Sequence, residues 1–245
     1  PDQPRRSGRR LTEGQRAQDP ALTPDGETIW SVRSSWGETW LEAYDRRTGA
    51  SVGKWHPPKG ARVDAPQPHP DGRRLFLSMH HRGNRDLVEV DLESGRFTKL
   101  TWGASDEVDP ALSPDGRWLL YASDADGVFD IYARDVTVSS PTAGRTVRLT
   151  RVVTGAFSPR VSPDGDTLVY VGWTVEGDEI YALPFDPEHA RAVAVPDPRP
   201  GRSVMAPLAE ARVTRKEYSY WPTLLPRRLN LTFLADSAGV SRAGL

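Results

Sequence analysis

Carboxylates are the side chains of this chain that offer chemistry first. Asp19, Asp64 and Asp109 each stand just ahead of a β-prone stretch. Brought together, such groups can bind a cation or the basic tail of a partner; the same residues can equally cap turns or sit in water. A second set, Asp25, Asp71, Asp115 and Asp164, lies each time in the tripeptide Pro-Asp-Gly, completed by Gly26, Gly72, Gly116 and Gly165. Pro presets φ at the first corner of a tight turn, the Asp side chain caps backbone N–H groups and Gly takes positive φ, so these eight residues read as structural turns. Asp124-Ala125-Asp126-Gly127 with Asp130 resembles a calcium loop but lacks the alternating third ligand and the distal Glu, and a hairpin loop is the better reading.

The other reactive residue types specify no reaction. None of the histidines, His56, His69, His80, His81 and His189, lies in a His-Glu-x-x-His pattern, and adjacent His80 and His81 on a strand point to opposite faces. There is no cysteine, hence no disulfide, thiolate nucleophile or Cys-ligated metal. Gly-x-Ser-x-Gly is absent, as is a phosphate-cradling Gly-rich loop. No catalytic residue, metal or cofactor is therefore expected. The 32 Lys and Arg nearly balance 33 Asp and Glu, for a net charge of −1, which argues against nucleic acid as a partner.

The elements that position these residues follow from internal repetition. Pro-Asp-Gly recurs at intervals of 46, 44 and 49 residues. Five residues before each Asp stands a Pro (Pro20, Pro66, Pro110, Pro159), and sixteen after it an aliphatic residue (Leu41, Leu87, Ile131, Ile180). Between them lie apolar stretches such as Trp118-Leu119-Leu120-Tyr121 and Thr167-Leu168-Val169-Tyr170-Val171, rich in β-branched and aromatic residues. A polar loop, a third strand such as Asp130-Ile131-Tyr132-Ala133, a second Gly turn such as Glu93-Ser94-Gly95 and a fourth strand such as Phe97–Thr101 complete each unit. With 43 Gly and Pro among 245 residues, long helices are excluded, whereas eight Trp, seven Tyr and six Phe supply surface to bury. About 45 residues and four strands per unit define a β-propeller blade. The expected fold is all-β: a propeller of four-stranded antiparallel blades, with four complete repeats, a partial one and an incomplete ring.

These units resemble the TolB-type, WD-like propeller repeats. Asp109-Pro110-Ala111-Leu112-Ser113-Pro114-Asp115-Gly116, Leu120-Tyr121-Ala122-Ser123, Asp130-Ile131-Tyr132 and Arg148-Leu149-Thr150 carry the resemblance, which extends over roughly residues 8 to 196. Two departures stand out: Trp40-Leu41-Glu42 replaces the usual Asp-Ile-Tyr, and His69 replaces the Ser before Pro. The expected organisation is 1–18 as the end of a preceding blade, blades at 19–63, 64–108, 109–157 and 158–196, and 197–245 as linker and connector toward a further C-terminal domain. In such a propeller the first strand of each blade lines the central channel, which makes Asp19, Asp64 and Asp109 the candidate binding residues.

The segment Tyr220-Trp221-Pro222-Thr223-Leu224-Leu225-Pro226-Arg227, followed by Gly239–Leu245, resembles the connector that joins a TolB-type propeller to a surface-antigen barrel related to BamA. Eight basic residues between Arg191 and Arg228, with Tyr218, Tyr220 and Trp221 among them, suit either an anionic lipid surface or a solvated linker anchored by aromatics. The resemblances imply a noncatalytic module that binds a protein or peptide, periplasmic or associated with the outer membrane, touching a membrane only through a further domain. The alternative implied by similar propellers is the substrate gate of a prolyl-oligopeptidase-like serine peptidase.

Overall fold

The computed structural model describes residues 8–138 and 140–194, together with the short segments Phe233–Leu234 and Arg242–Ala243. The chain divides into two units, Pro1–Arg199 and Pro200–Leu245. Every described regular element is a strand. In the second unit Phe233–Leu234 pairs antiparallel with Arg242–Ala243; the aromatic connector and basic segment expected between residues 197 and 228 lie outside the described residues.

Four antiparallel sheets follow one another in the first unit. The first contains β1 (Ala17–Leu22), β2 (Thr28–Ser35), β3 (Glu38–Asp45) and β4 (Ser51–Trp55) in sequence order. The second contains β5 (Arg62–Pro68), β6 (Arg74–His81), β7 (Asn84–Asp91) and β8 (Phe97–Lys99), likewise in order. The third is built on β9 (Glu107–Leu112), β10 (Trp118–Ser123), β11 (Asp130–Asp135) and β12 (Thr146–Arg148), and the fourth on β13 (Ala156–Val161), β14 (Thr167–Thr174) and β15 (Gly177–Pro184). Consecutive strands paired by short turns make each sheet the meander expected of a blade.

Blades stack face to face, and the side-chain period of two assigns each strand residue to one interface or the other. Trp30, Val32 and Leu41 meet Val63, Leu75, Leu77 and Val88 between the first two blades. Phe76 and Leu87 meet Leu119, Tyr121 and Tyr132 between the second and third. Leu120, Ala122 and Ile131 meet Ala156, Leu168 and Tyr170 between the third and fourth. The third blade is covered on both faces, so every residue of β10 is buried and its sequence reads as a continuous apolar run. On β14 burial alternates instead, and on β15 Ile180 is 79% exposed, because among the described residues no further blade covers the fourth.

The fourth blade departs from the repeat. Its expected last strand, β16 (Ala192–Val193), pairs with β12 of the third blade, giving the order β16-β12-β11-β10-β9, and leaves three strands in the fourth sheet. The reason is a missing turn. In the first two blades the third strand ends in Asp-x-x-Thr/Ser-Gly: Asp45 and Asp91 each accept hydrogen bonds from the backbone N–H and hydroxyl of the residue three on, and Gly49 and Gly95 take φ of +78° and +68°. The corresponding stretch in the fourth is Asp186-Pro187-Glu188-His189-Ala190, with alanine where positive φ is needed. The chain runs instead to the third blade, where Arg145 donates to the carbonyls of Glu188 (3.0 Å) and Ala190 (3.2 Å) and Arg117 pairs with the Glu188 carboxylate at 2.5 Å.

Each sheet begins two residues before its expected boundary, at 17, 62, 107 and 156. Asp64 therefore stands inside the first strand of a blade rather than ahead of it, and so do Asp19 and Asp109. Asp19 and Asp109, together with Ala65 and Ser158, occupy a β-bulge with φ of +48°, +53°, +50° and +51°, and the repeated Pro20, Pro66, Pro110 and Pro159 follow them. A bulge breaks the ladder where proline has no N–H to donate, which explains the Pro five residues before each turn. Residues 8–16 carry no strand; Arg9 donates to the carbonyl of Arg46 at 2.8 Å, holding this stretch against the first blade.

Candidate functional site

The bulge residues link successive blades. The Asp19 carboxylate accepts the N–H of Ala65 in the second blade at 3.1 Å, and Asp109 accepts the N–H and hydroxyl of Ser158 in the fourth at 3.0 and 3.1 Å. Asp64 breaks the pattern: it lies one residue before the bulge, opposite Ser78, where half-burial and the neighbouring Asp19 charge raise its pKa against the pull of Arg85. Ala65, in the bulge itself, has no carboxylate to pass on to the third blade. Asp19 and Asp64 are thus close enough to interact, whereas Asp109 serves a different interface. No group of three Asp, Glu or His among the described residues is placed to hold a metal ion.

The Pro-Asp-Gly residues make turns. Asp25, Asp71 and Asp115 accept the N–H two residues on at 2.8–3.0 Å, as does Asp164 at 3.1 Å. Gly26, Gly72, Gly116 and Gly165 adopt φ between +70° and +86°. Thr23 and Ser113 donate their hydroxyls to the turn Asp and accept the N–H at the start of the next strand. The second blade has His69 in that place. Its ring is buried, contacts Asp71 at 2.9 Å and reaches the carbonyl of Gly116 at 2.9 Å, so this departure from the repeat becomes a contact to the third blade. Arg74 donates to Asp71 at 2.7 Å, and these bonds hold the Asp71 carboxyl well below the usual range against its partial burial.

The acidic loop at 124–130 is also committed internally. Asp124 accepts the N–H of Asp106 at 2.8 Å, Arg148 bridges Asp126 and Asp130, and Asp130 further accepts from Thr150 (2.7 Å) and the N–H of Val152 (2.9 Å). His189 pairs with Asp186 on the surface, and His56 stacks on Trp40.

A site not evident in the repeat pattern lies on the third blade, beside the loop that enters it from the second. A cavity of about 1010 Å³ is bounded by Trp102, Glu107, Tyr121, Ser123, Tyr132 and Arg148, among others. Glu107 is 3% exposed; its Oε1 accepts from Ser105 (2.6 Å) and Ser123 (3.1 Å), while its buried Oε2 has no hydrogen-bond partner. Burial pushes its carboxyl up to about 7 despite those hydroxyls, and the Asp86 charge pushes the same way. Asp86 is itself buried and paired with Lys99 at 2.5 Å. Tyr121 and Tyr132 stack at 5.8 Å, and Tyr132 donates to Asp126 at 3.3 Å. At the equivalent place, two residues before the bulge, the second and fourth blades carry Val63 and Ala156, both fully buried. An acid where the repeat has core alanine or valine was the available signal.

Face-to-face blades joined through their bulges, with inner strands first in each sheet, define an arc of a β-propeller. The chain belongs to the TolB β-propeller domain family, whose model matches residues 58–194. It is similar to an uncharacterized peptidase, YuxL, of Bacillus subtilis, with 33% identity over 119 residues, covering 46% of this chain and 17% of that protein. Among solved structures it resembles TolB of Acinetobacter baumannii (22% identity, 73% of this chain and 43% of that chain, TM-score 0.55). It also resembles a puromycin-hydrolyzing peptidase of Mycobacterium tuberculosis (20% identity, 74% and 30%, TM-score 0.55). The chain spans less than half the length of each of these relatives.

Proposed function

We propose that this chain is a binding module for a protein or peptide, the propeller part of a larger periplasmic or outer-membrane-associated protein. The observation that carries this reading is the use of the polar groups: Asp19 and Asp109 join blades, the turn aspartates cap their own turns and the 124–130 loop is bonded within its own blade, while a polar cavity stays open to a ligand. The TolB family membership and the sequence of the connector at 220–227 support the cellular placement. Surface plasmon resonance of the full chain against an array of peptides tests it. Saturable binding that an excess of free peptide abolishes is expected; release of p-nitroaniline from peptide anilides above a heat-killed control would overturn it.

A second reading has its own support. Similarity to a Bacillus subtilis peptidase and to a puromycin-hydrolyzing enzyme favours a propeller that gates substrates for a separate hydrolase domain. Sequencing the coding region on both sides separates the two: alternating strands of about ten residues after Leu245 support a barrel protein, and a Gly-x-Ser-x-Gly elbow supports the peptidase.

A further inference from the structure

The first strand of the third blade has what those of the second and fourth lack: a buried carboxylate at the edge of a cavity. Where Val63 and Ala156 pack against the preceding blade, Glu107 presents Oε2 with no donor, while Oε1 is already served by two serines. Lys99 is held by Asp86, Arg148 is shared between Asp126 and Asp130, and Arg134 donates to the carbonyl of Gly144 and the hydroxyl of Thr146. Hydroxyls are thus the groups that steady an ionised Glu107, with no cation among the described residues paired to it, and the carboxyl takes up a proton unless a positive charge arrives. The cavity walls carry aromatic faces, the stacked Tyr121 and Tyr132 together with Trp102, which attract a cation through their quadrupoles. Arg151 and Arg191 also border the space but are exposed, where water and salt screen them.

We propose that this cavity binds a cationic nitrogen head group, an alkylammonium or a guanidinium, with the Glu107 carboxylate at its edge as counter-ion and Tyr121, Tyr132 and Trp102 as its aromatic wall. The ligand's charge offsets both Glu107 and the nearby Asp86. Such a head group can arrive as a free amine or as a lysine or arginine side chain of a peptide. This assignment rests on the proposed binding function and names the chemistry that this cavity takes.

Isothermal titration of the full chain tests this with five probes: N-acetyl-lysine methylamide, N-acetyl-arginine methylamide, the neutral N-acetyl-norleucine methylamide, butylamine and agmatine. Saturable binding of at least one cationic probe is expected, with no binding of the norleucine compound. Blocked amino acids binding more tightly than the free amines identifies a peptide side chain as the source, and the reverse order identifies a free amine; either order supports a cation site. Glu107→Gln should weaken binding at least about tenfold, through the loss of the counter-charge. Binding by the unmodified chain should also weaken as pH falls below about 7, since the ligand competes with a proton on Glu107. That profile stands even if the variant fails to fold. The proposal is overturned if no cation binds at millimolar concentration, if the norleucine compound binds equally, or if Glu107→Gln and acidification leave affinity unchanged. Peptide capture that Glu107→Gln leaves intact would overturn the site while leaving the binding module standing.

Discussion

Glu107→Gln removes an ionisable group from a place where ionisation is costly. The carboxyl has an ordinary value of 4.5 and is held at about 7 by burial and by the charge of Asp86. Between these values the folded chain keeps a proton that the unfolded chain has released, so stability falls as pH rises through the window and levels off above it. The gap, at 1.36 kcal/mol for each pH unit, amounts to about 3 kcal/mol between pH 4 and pH 8. Asp64 and Glu89, which burial also raises, tilt both proteins in the same direction and cancel in the difference. Gln keeps the shape and the contacts with Ser105 and Ser123 without the charge. Relative to the parent, the variant should gain about 3 kcal/mol on going from pH 4 to pH 8, or roughly 6–12 °C in Tm for a chain of this size. Thermal unfolding followed by circular dichroism at half-unit pH steps measures this. Parallel curves for the two proteins across the whole range would refute the assignment of Glu107 as a buried acid.

Four further outcomes are expected, each read by urea unfolding. Gly116→Ala meets both a positive φ and the His69 ring at 2.7 Å, whereas Gly165→Ala meets only the backbone conformation; the first should cost at least about 1 kcal/mol more than the second. Asp109→Ala removes the acceptor for two groups of Ser158 and should cost about 1–2 kcal/mol, the same loss appearing in Ser158 N–H exchange. Leu120→Ala, fully buried between two blades, should cost about 2–5 kcal/mol. Ile180→Ala on the uncovered face should stay within about 0.5 kcal/mol, and a cost like that of Leu120 would mean the face is covered.

Much of the architecture is local and so was legible in the chain itself. Pro-Asp-Gly makes its turn from its own three residues, and the apolar stretches behind it pair with the nearest strand, so blade number, strand order and the role of Asp25, Asp71, Asp115 and Asp164 follow from spacing. The bulge was less legible. A Pro at a fixed offset signals a break in the ladder, but which neighbour takes positive φ depends on pairing with the next strand. Asp64, one residue out of register with Asp19 and Asp109, accordingly looked equivalent to them and is not. The destination of residues 192–193 was hidden for another reason: Ala190 abolishes a turn, but the strand's new partner is set by Arg117 and Arg145 reaching from a different blade.

Repetition thus determined the fold, because each unit carries its own turns, strands and period, and copying the unit copies the blade. Tertiary structure decided the site. The sequence shows Glu107 only as an acid where two other units carry Val63 and Ala156; the stacking of one blade on another removes it from water, leaves one of its oxygens without a hydrogen-bond partner and opens a cavity beside it.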